Sequence, residues 1–223
     1  MANEDIDPKA RERFGTEAKV SLIKASIFWA SAKEEYVRGD YLATAVSAYY
    51  SIFHLSLFVM WLKPEYLQPA IKDKLIKIQD AGGPLPDKSI SHGNIEEFLC
   101  EDHGELLVSV KELGELFKKA KGYREFASYG PRVTTNGDNI FIGPCSFTIE
   151  TLNDIINETE KLIKQTVLSV LPKTAYDGML GNIVVDQSIP MIEQSDLSFR
   201  KWSSPDIIKR ASVLLEDIKR GVT

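Results

Sequence analysis

The chain reads as a mainly α protein: an up-and-down helical bundle with a small β-hairpin insertion and a C-terminal helical appendage. Three observations predict this. Apolar residues recur at helical spacing through several separate stretches. Between those stretches stand residues that stop or start helices: Gly39, Asp40, Pro64, Pro172 and the pair Ser204-Pro205. A single short stretch, around Asn136-Gly137, carries the signature of a strand pair. With 223 residues, 43% hydrophobic and 26% charged, the chain can bury a sizeable core. The expected division is a charged leader over 1–15, a bundle over 16–171, and an extension over 172–223 ending in a helix.

The elements follow in order. Val20, Ile23, Ile27 and Ala30 space a first helix over 16–37, which Gly39 stops. Asp40 caps a second helix over 41–62 that is apolar nearly all round, so it belongs at the centre. A more polar helix over 69–80 and a loop over 81–90 come next. Ser91 caps a short helix running to Leu99. A longer helix begins near Gly104 or Glu105 and continues to about Ser128, where Tyr129-Gly130-Pro131 breaks it. Residues 133–135 and 139–142 flank the hairpin turn. Phe147 or Thr148 opens an amphipathic helix to Val170, with Ile149, Leu152, Ile156, Thr159, Ile163, Val167 and Val170 on one stripe. The last helix starts with serine as cap and proline in the first turn, and Ile208, Ala211, Leu215 and Ile218 form its apolar face.

Composition narrows the function. The segment nearest to a membrane span is 41–62, but Thr44, Ser47, Ser51, His54 and Ser56 interrupt it, so it is read as a buried helix. The charged N-terminus has no apolar signal core. Cys100 and Cys145 lack paired spacing, so neither a disulfide framework nor a metal site is expected. A cytoplasmic setting with no membrane partner and no cofactor is the simplest expectation. A net charge of −5 argues against broad electrostatic binding to nucleic acid, though not against a local basic groove. Glycine-rich phosphate loops, nucleophile elbows and zinc-protease helices are missing from the sequence.

Arg124 is the sharpest internal clue. Leu106, Val110, Leu113, Phe117, Ala120, Arg124 and Ala127 form one seam at alternating four- and three-residue steps. A guanidinium on such a seam needs a partner or a cleft. Either it ends the bundle, reaching water or a carboxylate, or it lines a cleft as a fixed cation for phosphate. Lys121 and Arg132 add to a local electropositive rim. On the second helix Ser47, Tyr50, Ser51 and His54 make a polar line beside the apolar stripe of Leu42, Val46, Tyr49, Phe53 and Leu57. His54 is either a satisfied core histidine or a general base or phosphate-positioning group. His92 lies in the first turn of a helix, where the dipole disfavours its charged form. There it either caps or packs, or serves as a neutral base or donor. His103, among Glu101, Asp102 and Glu105, reads as a solvated surface residue, and the acidic run Glu96, Glu97, Glu101, Asp102, Glu105 as a solvated face.

Three segments together resemble the HEPN domain family. Residues 39–54 (GDYLATAVSAYYSIFH) are similar to its second-helix signature. Ser91-His92-Gly93 looks like the Thr/Ser-His-Gly segment of its small members, and Arg124-Glu125-Phe126-Ala127-Ser128-Tyr129-Gly130 like their late Arg-x-x-x-Asp-Tyr-Gly motif. The resemblance covers roughly 16–170 and implies an up-and-down bundle that tends to form homodimers. Members include metal-independent RNases that pair the arginine with a histidine five to seven residues later. Arg124 matches the arginine, but that histidine is missing, and Ser128 replaces the usual aspartate. The expectation is therefore a dimerising interaction module of a prokaryotic defence or toxin–antitoxin type system, with RNA and an effector or nucleotidyltransferase-type protein as candidate partners. The alternative is a divergent metal-independent endoribonuclease using Arg124 with Tyr129, His54 or His92.

Overall fold

The structure, a computed structural model, describes residues 8–62, 90–100, 107–129, 133–136, 139–142, 148–170 and 204–220. Among these, six helices dominate: α1 Pro8–Val37, α2 Tyr41–Leu62, α3 His92–Cys100, α4 Leu107–Tyr129, α5 Ile149–Val170 and α6 Pro205–Arg220. Between α4 and α5, β1 Val133–Asn136 and β2 Asn139–Ile142 pair antiparallel, with Val133 opposite Ile142 and Asn136 opposite Asn139. The polar helix over 69–80, the loop over 81–89 and the chain over 171–203 lie outside the described residues.

Helix boundaries sit where local chemistry puts them. Gly39 ends α1 with φ +79°, a left-handed conformation that costs a side-chain-bearing residue more than glycine. One residue later Asp40 Oδ1 accepts the Ala43 backbone N–H at 3.2 Å and caps α2. At α3, Ser91 Oγ accepts the Asn94 N–H at 3.2 Å while Asn94 Oδ1 accepts the Ser91 N–H at 3.1 Å, a reciprocal cap. Thr148 Oγ1 caps α5 through the Thr151 N–H, and Ser204 Oγ caps α6 through the Ile207 N–H. Helix α1 starts earlier than the apolar spacing implied. Pro8 takes its first turn, and Lys9, Ala10, Arg11 and Glu12 are strong helix formers whose charge read as a loose leader.

Helix α2 is the axis, with α1, α4 and α5 packed around it. Helix α3 lies on α4 and α2, and α6 chiefly on α1. Tyr49, Ile52, Leu55, Phe58 and Met60 of α2 are at most 1% exposed. By length and hydropathy α2 is apolar enough to cross a membrane, and 78% of that window is buried inside the protein. Two of its buried serines are satisfied internally: Ser51 Oγ donates to the Ala25 carbonyl of α1 at 2.7 Å, and Ser56 Oγ to the Ile52 carbonyl at 2.8 Å. On α5 the expected stripe is buried from Leu152 to Val170, but Ile149, the first residue of the helix, is 44% exposed. The α6 face centres on Ile207, Ala211, Leu214, Leu215 and Ile218, leaving Ile208 partly buried.

Helix α3 is pressed close on α4. A Cβ at Gly114 would stand 2.9 Å from the Leu99 carbonyl oxygen and 3.3 Å from Leu99 Cβ. Backbone cannot yield as a flexible side chain can. Gly114→Ala is therefore expected to lower stability by about 1–3 kcal/mol through overpacking, despite alanine's better helix propensity. Urea unfolding of the two proteins checks this.

Candidate functional site

The site forms where α2, α3 and α4 meet. Tyr49 comes from the third turn of α2 and is 1% exposed. Its hydroxyl is hydrogen-bonded to Nδ1 of His92, the first residue of α3. The Arg124 guanidinium of α4 lies over the Tyr49 ring, with Cζ 5.8 Å from the centroid. Phe117, one side of the α4 seam, packs on Tyr49 at 5.4 Å between ring centroids, and Phe53 packs on His92 at 4.7 Å. Lys121 pairs with Glu96 at 2.5 Å, tying α4 to α3 at the edge of the cluster.

The electrostatics follow from this packing. Burial pushes the Tyr49 phenol above its usual range, with the nearby Arg124 charge opposing, so the hydroxyl keeps its proton. Partial burial, then Arg124, then Lys121 hold His92 below the ordinary histidine range. It stays neutral near pH 7. Burial and the two nearby cations act in the direction expected of the helix dipole. The result is a neutral imidazole at an exposed position, anchored through one nitrogen, beside a fixed guanidinium.

Arg124 and His92, singled out from sequence, are thus brought together. The partner that joins them, Tyr49, was read as part of an apolar stripe. One signal pointed to it: a tyrosine on a core-facing stripe carries a hydroxyl that must find a partner. Of the other candidates, Tyr129 closes α4, and its side chain lies outside the described residues, as does all of Arg132. Lys121 is matched by Glu96.

His54 stands apart. It follows Tyr49 by five residues, about 140° around the helix, and so faces α1. Its ring stacks on Phe28 at 5.5 Å and 12°, and it is 8% exposed. Its Nδ1 is buried without a hydrogen-bond partner among the described residues. Burial, reinforced by Lys24, pushes its pKa down to about 3. Between pH 6.5 and about 3 the unfolded chain therefore binds a proton that the folded chain refuses. This contribution to stability is complete above pH 6.5 and is lost as pH falls through that window. His54→Phe is expected to flatten the decline between pH 6.5 and 5 by up to about 1.4 kcal/mol per pH unit. Urea midpoints across that range read the effect directly.

Among the described residues no three His, Cys, Asp or Glu side chains are grouped to hold a metal ion. No family model matches the chain, and neither a curated protein nor a solved structure shows significant similarity to it.

Proposed function

We propose that this chain is a HEPN-like module, its strand pair inserted between the two long helices α4 and α5. It pairs with itself, or with an effector or nucleotidyltransferase-type partner in a prokaryotic defence or toxin–antitoxin system, and holds an RNA phosphate at Arg124. One observation carries this reading: the three segments that resemble HEPN signatures each send one residue, Tyr49, His92 and Arg124, to the same cluster. Chance similarity in three unrelated segments gives no reason for such convergence. A guanidinium held over an aromatic ring beside a neutral imidazole suits an oxyanion. Exposed apolar residues at the α1–α2 turn, Val37 at 77% and Leu42 at 58%, offer a surface for self-association.

A second reading is favoured by one specific feature, the neutral His92 beside Arg124. In it, His92 takes the proton of an RNA 2′-hydroxyl as that oxygen attacks the adjacent phosphorus. The bond to the 5′-oxygen breaks, and that oxygen leaves with a proton from solvent. Arg124 offsets the charge on the phosphoryl oxygens. The products are a 2′,3′-cyclic phosphate and a 5′-hydroxyl.

Incubating single-stranded RNA with the protein in EDTA separates the two. Intact RNA that is bound, by a protein sedimenting as a dimer, is the expected result. Cleavage leaving 2′,3′-cyclic ends and lost in Arg124→Ala establishes the second reading instead. A monomer that binds neither RNA nor any partner from its host overturns the first.

A further inference from the structure

The corner between α1 and α2 holds a carboxyl remote from the cluster above. Glu35 lies in the last turn of α1, and one of its oxygens, Oε2, is buried with no hydrogen-bond partner among the described residues. Its backbone carbonyl accepts the Asp40 N–H at 2.9 Å, while the Tyr36 carbonyl accepts the Gly39 N–H at 3.0 Å. These two bonds close the C-terminus of α1 around the left-handed Gly39. Asp40 in turn caps α2 through the Ala43 N–H at 3.2 Å. One backbone hydrogen bond therefore joins Glu35 to the residue that starts the next helix.

Three sources of negative charge meet at this corner: the carbonyl end of α1, the Asp40 carboxylate and Glu35 itself. The last turn of α1 carries no basic residue. Arg38 follows it, but its guanidinium donates to Glu34 Oε1 at 2.9 Å. Arg210 of α6 also reaches Glu34, at 3.4 Å. Both cations thus pair with Glu34 and not with Glu35. Burial pushes the Glu35 carboxyl above the usual glutamate range. The Ser47 hydroxyl of α2 opposes that rise, the Asp40 charge adds to it, and the Arg38 charge opposes it more weakly.

We propose that Glu35 is a proton-sensitive lock on the α1–α2 corner. Protonated, it leaves the backbone bond to Asp40 undisturbed. Ionised, it sets two carboxylates against each other across that bond and loosens both the bond and the Asp40 cap on α2. A raised folded-state value means that the folded chain holds this proton more tightly than the unfolded chain does. That contribution to stability is complete below pH 4.5, the ordinary glutamate value, and is lost as pH rises through the folded-state titration. His54 acts in the opposite sense, since acid costs the fold its neutral imidazole. The lock depends on neither the RNA reading nor the partner reading above.

The test follows side-chain carboxyl carbons and backbone amides of the full chain by NMR from about pH 4 to about pH 7.5, in the parent, Glu35→Gln and Asp40→Asn. The Glu35 carboxyl carbon is expected to titrate above 4.5, with the Asp40 and Ala43 amide shifts following the same curve. Hydrogen exchange at those two amides, corrected for its intrinsic pH dependence, should lose protection severalfold across that titration. Glu35→Gln is a neutral isostere. It should keep the acid-state protection at every pH, and raise the urea midpoint near pH 7.5 but not near pH 4. His54 is present in both proteins, so its effect cancels. Asp40→Asn keeps a capping side chain and removes the like charge, so it should move the Glu35 titration down. Titration of Glu35 at or below 4.5 in the parent overturns the proposal without recourse to any variant. A raised titration that neither amide follows, or that Asp40→Asn leaves in place, also overturns it, because Glu35 is then a buried carboxyl with no hold on the corner.

Discussion

Arg124→Ala is expected to weaken binding of inorganic phosphate roughly ten- to a hundredfold, which is the effect of losing hydrogen bonds made by a charged donor. Stability should change less than it does for a core truncation, because Arg124 is half-buried rather than in the core. Arg124→Lys separates charge from geometry. Lysine keeps the charge but replaces a planar fork with a point charge, and it stacks less well over the Tyr49 ring. It should restore part of the affinity and not all. Titration calorimetry at low salt measures all three proteins, since added salt screens the interaction. Full recovery by lysine would reduce Arg124 to a general electrostatic contribution.

Phe117→Ala is expected to have the largest effect on stability, lowering it by about 3–5 kcal/mol. Phe117 is fully buried in the α4 seam, between Leu113 at 0% exposure and Ala120 at 1%. Removing its ring leaves a cavity at the centre of the α2–α4 contact. The same change removes a wall from Tyr49, whose ring centroid lies 5.4 Å away. The Tyr49–His92 hydrogen bond should then loosen. Combining Phe117→Ala with Tyr49→Phe should cost less than the sum of the two, because the residues touch. Urea unfolding of the single and double variants reads both the size and the coupling. Strict additivity would show that the ring does not support the site.

What the sequence disclosed and what it concealed divide by distance along the chain. The caps at Asp40, Ser91, Thr148 and Ser204 act within one helical turn, so their residue types announce them. Arg124 was legible because a charge interrupts a periodic apolar seam. The polar line of α2 was legible as a set of groups needing partners, but not which groups would find them. Ser51 finds the Ala25 carbonyl of α1, whereas His54 Nδ1 finds none among the described residues. The union of Tyr49 with His92 spans 43 residues and depends on how α3 settles against α2 and α4. Periodicity within one helix carries no information about that docking. The close approach of Leu99 to Gly114 has the same origin: a glycine in a helix signals tight contact without naming the neighbour. The N-terminal extent of α1 was hidden because charge density in residues 8–15 looks the same in a loose leader and in a solvated helix face.

The central claim is that Arg124 and His92 act on one anion as a unit, although they come from different helices. A double-mutant cycle on phosphate affinity tests it most directly, with Arg124→Ala, His92→Ala and the two combined. The predicted result is that each single change weakens binding severalfold or more, and that the pair is non-additive by more than about 0.5 kcal/mol. Two independent, additive losses, or affinity that neither change disturbs, would contradict a shared site.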